Sequence, residues 1–257
     1  MEEIKFKKSL GQNFIFDKNL LNAIATDGEV GADDVVLEIG AGAGTLTEIL
    51  CGRAKQVISY EIDKSLSERL NAIKERCPNL TLCYEDFMQA DLNTLKVKPT
   101  RVVANIPYYI TTPIIFKLIE HNFKSILVLV QKEVALRFAA NPKTKDYGIT
   151  SVILQSAFDV KVPRTVKKEN FTPAPKVDSA TVRFTPHKKY NIKDYEAFKN
   201  FVHQSFAMRR KTLINNLKGN YDKTLIENAL KILNYSPNAR PEEISVENFV
   251  NLFNQLN

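Results

Sequence analysis

Val35-Val-Leu-Glu-Ile-Gly-Ala-Gly-Ala-Gly44 is the stretch that decides the fold. Val35 to Ile39 is a short apolar run of strand length, rich in β-branched residues. Three alternating glycines follow, and Gly44 to Leu50 opens a helix. Glycines there let the backbone turn tightly and approach a ligand closely. A dinucleotide-binding turn reads Gly-x-Gly-x-x-Gly. Counted from Gly40 or from Gly42, its third glycine falls on Thr45 or Thr47, so that pattern fails. What remains is Glu-x-Gly-x-Gly-x-Gly between a strand and a helix.

On either side, strand-type and helix-type runs alternate. Asp17 to Ala25 has helical spacing, with Leu20, Leu21 and Ile24 on one face. Strands are expected at Val57–Tyr60, Leu80–Tyr84, Arg101–Ala104 and Ser125–Val130. Helices are expected at Lys64–Arg76 and Pro113–Glu120. Such βαβ alternation predicts a doubly wound, mainly parallel sheet. Its strands lack strict polar alternation, as sheets covered on both faces do. Val160–Val166 and Ser179–Phe184 read as further strands, and the two prolines of Phe171–Asp178 predict an irregular loop between them. After Pro186 only helical spacing remains, in Tyr195–Ala207, Lys211–Leu217, Asp222–Leu233 and Val246–Leu256. The expected domains are therefore 1–186 and a helical 187–257.

Composition narrows the class. With 257 residues the chain can bury a sizeable core without disulfide or metal staples. Its three Cys and three His have no metal-ligand spacing, so no metal is expected. The N-terminus lacks a secretory apolar region, and the longest apolar run, Ile126–Val130, is far too short for a membrane. A soluble, cytoplasmic monomer is expected. The net charge is +7, with basic clusters at Lys5/Lys7/Lys8, Lys161/Arg164/Lys167/Lys168 and Arg209-Arg210-Lys211. On one face they would form a phosphate-binding surface; on separate faces they are ordinary solvated charge.

Two carboxylates stand where the carboxyl ends of parallel strands converge on one crevice. Glu61 follows the second strand, where an acid accepts hydrogen bonds from ribose hydroxyls. Asp86 ends the third, where an acid accepts one from an adenine amino group, and Phe87 beside it can line a ring pocket. With Gly40 this set resembles the cofactor end of class I methyltransferases. The fourth strand ends in Asn105-Ile-Pro-Tyr-Tyr109. Methylating an aromatic amine such as adenine N6 requires the weakly nucleophilic nitrogen to be held in line with the methyl donor. The Asn105 side-chain oxygen and the Ile106 carbonyl are candidate acceptors for its two hydrogens. Pro107 biases Ile106 toward extended backbone. Tyr108 is placed to stack on the base, a contact of roughly 1–3 kcal/mol.

These residues resemble the KsgA/RsmA-type small-subunit rRNA adenine dimethyltransferases over nearly the whole chain. Lys8-Ser-Leu-Gly-Gln-Asn-Phe14 resembles the family's N-terminal cofactor motif, and Asn105–Tyr108 its catalytic tetrapeptide. Phe171-Thr-Pro-Ala-Pro-Lys-Val-Asp-Ser179 resembles its substrate loop; Arg209–Leu217 and Arg240–Phe249 resemble its helical C-terminal domain. The resemblance implies an α/β, Rossmann-like class I methyltransferase sheet with a small all-helical C-terminal RNA-binding domain. It implies S-adenosylmethionine held by Asn13, Ile15, Gly40, Glu61, Asp86 and Asn105. It implies catalysis by Asn105 and Tyr108, with Ile106, Pro107, Tyr108 and Phe171 on the substrate and the adenine sandwiched between Tyr108 and Phe171. The implied substrate is two neighbouring adenosines near the 3′ end of small-subunit rRNA, each methylated twice in an assembling particle.

Three other readings share parts of this pattern. A large-subunit rRNA adenine methyltransferase of the macrolide-resistance type shares the Asn-x-Pro-Tyr motif, but Arg209–Leu217 favours the small subunit. A non-catalytic RNA-binding assembly factor on the same scaffold would not need Glu61, Asp86 and Asn105 intact. DNA adenine methyltransferases more often carry Asp-Pro-Pro-Tyr or Asn-Pro-Pro-Tyr.

Overall fold

The computed structural model describes residues 6, 7, 10–208 and 210–257. Lys5, Lys8, Ser9 and Arg209, which belong to the motifs and basic clusters above, lie outside the described residues. By chain contacts the protein forms two compact units, one of residues up to 135 with 161–185, the other of 136–160 with 186–257.

In the first unit, β1 (Phe14–Ile15) precedes α1 (Lys18–Asp27), which Asp17 caps by accepting from the backbone N–H groups of Asn19 and Leu20. There follow β2 (Val35–Ile39), α2 (Thr45–Cys51), β3 (Gln56–Tyr60), α3 (Ser67–Arg76), β4 (Leu80–Cys83), β5 (Arg101–Asn105), α4 (Thr111–Ile119) and β6 (Ser125–Gln131). Then come α5 (Lys132–Phe138), α6 (Ile149–Ala157), which belongs to the second unit, β7 (Phe158–Val166), β8 (Phe171–Thr172) and β9 (Ser179–Pro186). The seven-stranded sheet runs β4-β3-β2-β5-β6-β9-β7. The pairs β4/β3, β3/β2, β2/β5 and β5/β6 are parallel, and β9 lies antiparallel on β6. The doubly wound expectation holds. Strand order reverses between β2 and β5, so a crevice opens beyond their carboxyl ends, where ligands bind in such sheets. All five residues of β2 are buried, as a doubly covered central strand requires.

The proline-rich loop is less irregular than its composition suggests. Phe171 and Thr172 form a short antiparallel pairing with Ile15 and Phe14. This joins two stretches some 150 residues apart, which no local pattern signals.

The second unit is built from α6, α7 (Tyr195–Ser205), α8 (Leu213–Leu217), α9 (Lys223–Ile232) and α10 (Val246–Leu256). Phe198, Phe201, Phe249 and Phe253 form its aromatic core, with ring centroids 5.5–6.5 Å apart. Ser245 caps α10 through the Asn248 N–H. The expected boundary at 186 places 136–160 in the first domain. In the structure that segment clusters with the C-terminal helices, because α6 packs on α7 and α10.

Candidate active site

A cavity of about 240 Å³ opens at the carboxyl ends of β2, β3 and β5. Gly40, Glu61, Asp86, Asn105, Ile106, Pro107 and Tyr108 line it, as do Asn13 and Ile15 from the N-terminal segment. The structure thus brings together every expected cofactor position, drawn from five separate parts of the chain.

The glycine turn is shaped by its backbone. Gly42 has φ +55°, and a Cβ there would stand 2.7 Å from the Phe14 ring. Phe14 therefore packs against the turn at a distance only glycine permits. The Gly42 N–H donates to Glu61 Oε2 at 2.8 Å, and the Asp63 N–H donates to Glu61 Oε1 at 2.7 Å. Glu61 is buried, not a surface acid. Burial pushes its pKa up, although these backbone donors oppose the shift. Two carboxylate oxygens offer about four acceptor positions, so capacity for a diol remains.

Asp86 lies three residues beyond β4 rather than at its end. Its Oδ1 accepts from the Met88 N–H at 2.9 Å. Phe87 is buried and meets Tyr60 edge-on at 5.4 Å.

Asn105 closes β5. Its Nδ2 donates to the Asn13 carbonyl at 2.9 Å. That bond fixes the amide orientation, because only the NH₂ can donate to a carbonyl, and it reserves Oδ1 as an acceptor. Pro107 is extended, with φ −60° and ψ 134°, and Ile106 is buried. The Tyr108 hydroxyl sits 2.5 Å from Ser179 Oγ, which anchors the ring. Burial raises the Tyr108 pKa, opposed by the Ser179 bond.

Phe171 does not reach this group. It is 3% exposed and packed in the core with Phe14, Ile15 and Val166, outside the cavity lining. Stacking of Phe171 on a base, as the resemblance implies, would require its ring to leave this packing. The substrate loop instead reaches Tyr108 through its last residue, Ser179. Sequence reasoning missed that contact, which depends on β9 lying antiparallel on β6.

Asp63 was also missed. It is buried, and it accepts from Lys7 Nζ at 2.6 Å and Gln12 Nε2 at 2.7 Å. It thereby fastens the N-terminal segment beside Glu61. Burial opposes its ionisation, but the bonds from Lys7, Ser65 and Gln12 win and hold its pKa at about 2.

Glu38, the acid before the glycines, lies behind the cavity at 1% exposure. Its Oε2 accepts from Thr47 and Ser59 at 2.7 Å each, while Oε1 has no partner among the described residues. Burial is the main cause that pushes its pKa up to about 7, against the bonds from Ser59 and Thr47. A carboxyl raised in this way favours the folded state below its unfolded value of 4.5, and that advantage is lost as pH rises toward 7. Glu38→Gln should remove this dependence. In urea unfolding, the variant should gain about 3 kcal/mol on the wild type between pH 4.5 and pH 8. A pH-independent difference would contradict a neutral Glu38.

Among the described residues no cluster of three or more His, Cys, Asp or Glu is arranged to hold a metal ion. No described helix is long and apolar enough to cross a membrane.

The model of the family described as "Ribosomal RNA adenine dimethylase" matches residues 3–257. The chain is 41% identical over 266 aligned positions to a "Ribosomal RNA small subunit methyltransferase A" of Bacillus mycoides, covering 98% of this chain and 91% of that protein. A Bacillus cereus protein of the same name matches equally well. Among solved structures, a dimethyladenosine transferase from Plasmodium falciparum superposes with TM-score 0.79 at 28% identity, covering 93% of this chain and 95% of that one. The 23S rRNA methyltransferase ErmE superposes with TM-score 0.78 at 29% identity, covering 95% and 99%.

Proposed function

The chain belongs to the ribosomal RNA adenine dimethylase family, and from that premise we propose that its cavity binds S-adenosylmethionine and presents the methyl group to adenosine N6 in small-subunit rRNA. The observation that carries this reading is the Asn105 amide, tied through Nδ2 to Asn13 so that Oδ1 is kept for a donor.

The donor set suits the cofactor. Glu61 would take the ribose hydroxyls, and Asp86 the adenine amino group beside Phe87. Asn13, Ile15 and Gly40 would form the walls, and Gly40 has room, since a Cβ there meets only the Asn105 carbonyl, at 3.5 Å. When bound, the group supplies an electrophilic sulfonium methyl. The chain's own residues hold the amine. Asn105 Oδ1 and the Ile106 carbonyl accept its two hydrogens and favour a tetrahedral nitrogen. Tyr108, braced by Ser179, stacks on the flipped base and offsets part of the cost of unstacking it. No strong base is required, because the nitrogen sheds its proton readily once it carries positive charge.

The small-subunit assignment is supported by the relatives' name and by Arg209–Leu217; the two adjacent adenosines near the 3′ end, in an assembling particle in the cytoplasm, are what the sequence resemblance implies. The enzyme would act as a monomer. Large-subunit rRNA is the competing substrate, since ErmE shares the fold. Primer extension on rRNA from cells lacking and expressing the protein separates the two. Stops at neighbouring small-subunit adenosines are expected, and a stop only in large-subunit rRNA would overturn the assignment. A non-catalytic assembly factor is disfavoured by the intact acceptors. Calorimetry should detect S-adenosylmethionine binding, whereas no heat at millimolar cofactor would favour that factor.

The helical unit would bind RNA through its cations. Changing Arg209, Arg210 and Lys211 together to Ala should reduce the slope of log affinity against log salt by about 2. An unchanged slope would take that cluster off the phosphates.

A further inference from the structure

Lys117, on α4, stands behind the wall that carries Asp86. Its Nζ donates to the carbonyls of Phe87 at 2.8 Å, Met88 at 2.9 Å and Ala90 at 2.5 Å. An ammonium has three donors, so all are spent on one turn of backbone. The same cation lies 5.1 Å from the centroid of the Phe87 ring, which lines the cavity.

In a trans peptide the C=O and N–H point in opposite directions. The Phe87–Met88 peptide has its C=O on Lys117 and its N–H on Asp86 Oδ1. The next peptide has the Met88 C=O on Lys117 and the Gln89 N–H on the Asp86 backbone carbonyl. Two successive peptide planes thus run from the cation to Asp86. Without the ammonium, three carbonyl dipoles converge with no donor between them. Rotating either plane to relieve that repulsion removes a bond to Asp86.

We propose that Lys117 is a positioning residue that aims the Asp86 carboxylate, through the 87–88 peptide, at the amino group of the cofactor's adenine. The proposal rests on the reading above that Asp86 takes that amine. Lys117 touches neither cofactor nor substrate in this scheme; it sets which purine the cavity accepts.

The test is equilibrium binding of S-adenosylhomocysteine and S-inosylhomocysteine, which carries a carbonyl in place of the amine. The wild type should prefer the adenosine compound by about tenfold or more. Lys117→Met keeps the length of the side chain and removes the cation. It should weaken the adenosine compound about tenfold and the inosine compound less than about twofold, so that discrimination collapses. Equal weakening of both, or of neither, would overturn the positioning role and leave Asp86 as the amine acceptor. A wild type that does not discriminate would instead overturn the Asp86 reading itself. If Lys117→Met does not fold, Lys117→Arg takes its place. A planar guanidinium cannot converge three donors on one turn as an ammonium does, and discrimination should fall part of the way. Full discrimination in Lys117→Arg would overturn the proposal.

Discussion

Asn105→Ala is expected to lower the rate of methyl transfer by about 100-fold or more while changing cofactor affinity by less than about threefold. The change removes Oδ1, the side-chain acceptor, together with the Nδ2 bond to the Asn13 carbonyl. An amine held by the Ile106 carbonyl alone can turn about that one bond, and an in-line approach then becomes rare. Cofactor contacts from Glu61, Asp86 and the glycine turn stay in place. Single-turnover kinetics at saturating cofactor, with calorimetry in parallel, separates the two effects. A variant with an unchanged rate would remove Asn105 from the reaction.

The second large effect is on stability. Gly44 caps α2 in a left-handed conformation, φ +76°, and a Cβ there would lie 2.1 Å from Ile73 Cδ1 and 3.1 Å from Leu70 Cδ2. Ile73 and Leu70 are buried on α3, so the end of the Ile73 side chain must repack among buried neighbours to make room. Gly44→Ala combines about 1–2 kcal/mol for the left-handed backbone with about 1–3 kcal/mol for overpacking. A loss of about 3 kcal/mol should lower Tm by about 6–12 °C in a protein of this size. Thermal unfolding measures it directly, and a fall of less than about 2 °C would mean that α3 yields more easily than its packing implies.

The parallel half of the sheet was legible because its strands are short apolar runs, and β2, β3 and β5 each lead into a periodic helix. α10 was legible to the residue, since Ser245 and the Val246, Phe249, Val250, Phe253 spacing mark both its start and its buried face. α6 was not. Ile149-Thr-Ser-Val-Ile-Leu-Gln-Ser-Ala157 is buried on most sides, so it shows no polar face, and its β-branched residues read equally well as strand. At the site, Gly40, Glu61 and Asn105 could be found because strand ends announce them, and Asp86 because it lies shortly beyond one. Ser179, Asp63 and Lys117 could not, since each acts through a partner 27 to 71 residues away. Phe171 shows the limit of motif reading. Its motif matches, yet the ring is buried in the core, outside the cavity lining.

This cavity is proposed to methylate adenosine N6 in small-subunit rRNA. Methyl transfer from S-adenosylmethionine to purified, undermethylated small subunits, followed by mass spectrometry of the digested rRNA, tests it most directly. The expected result is two methyl groups on N6 of each of two adjacent adenosines near the 3′ end, with none on purified large subunits. Methyl groups on large-subunit rRNA alone, on an atom other than adenine N6, or on no RNA at all would contradict it.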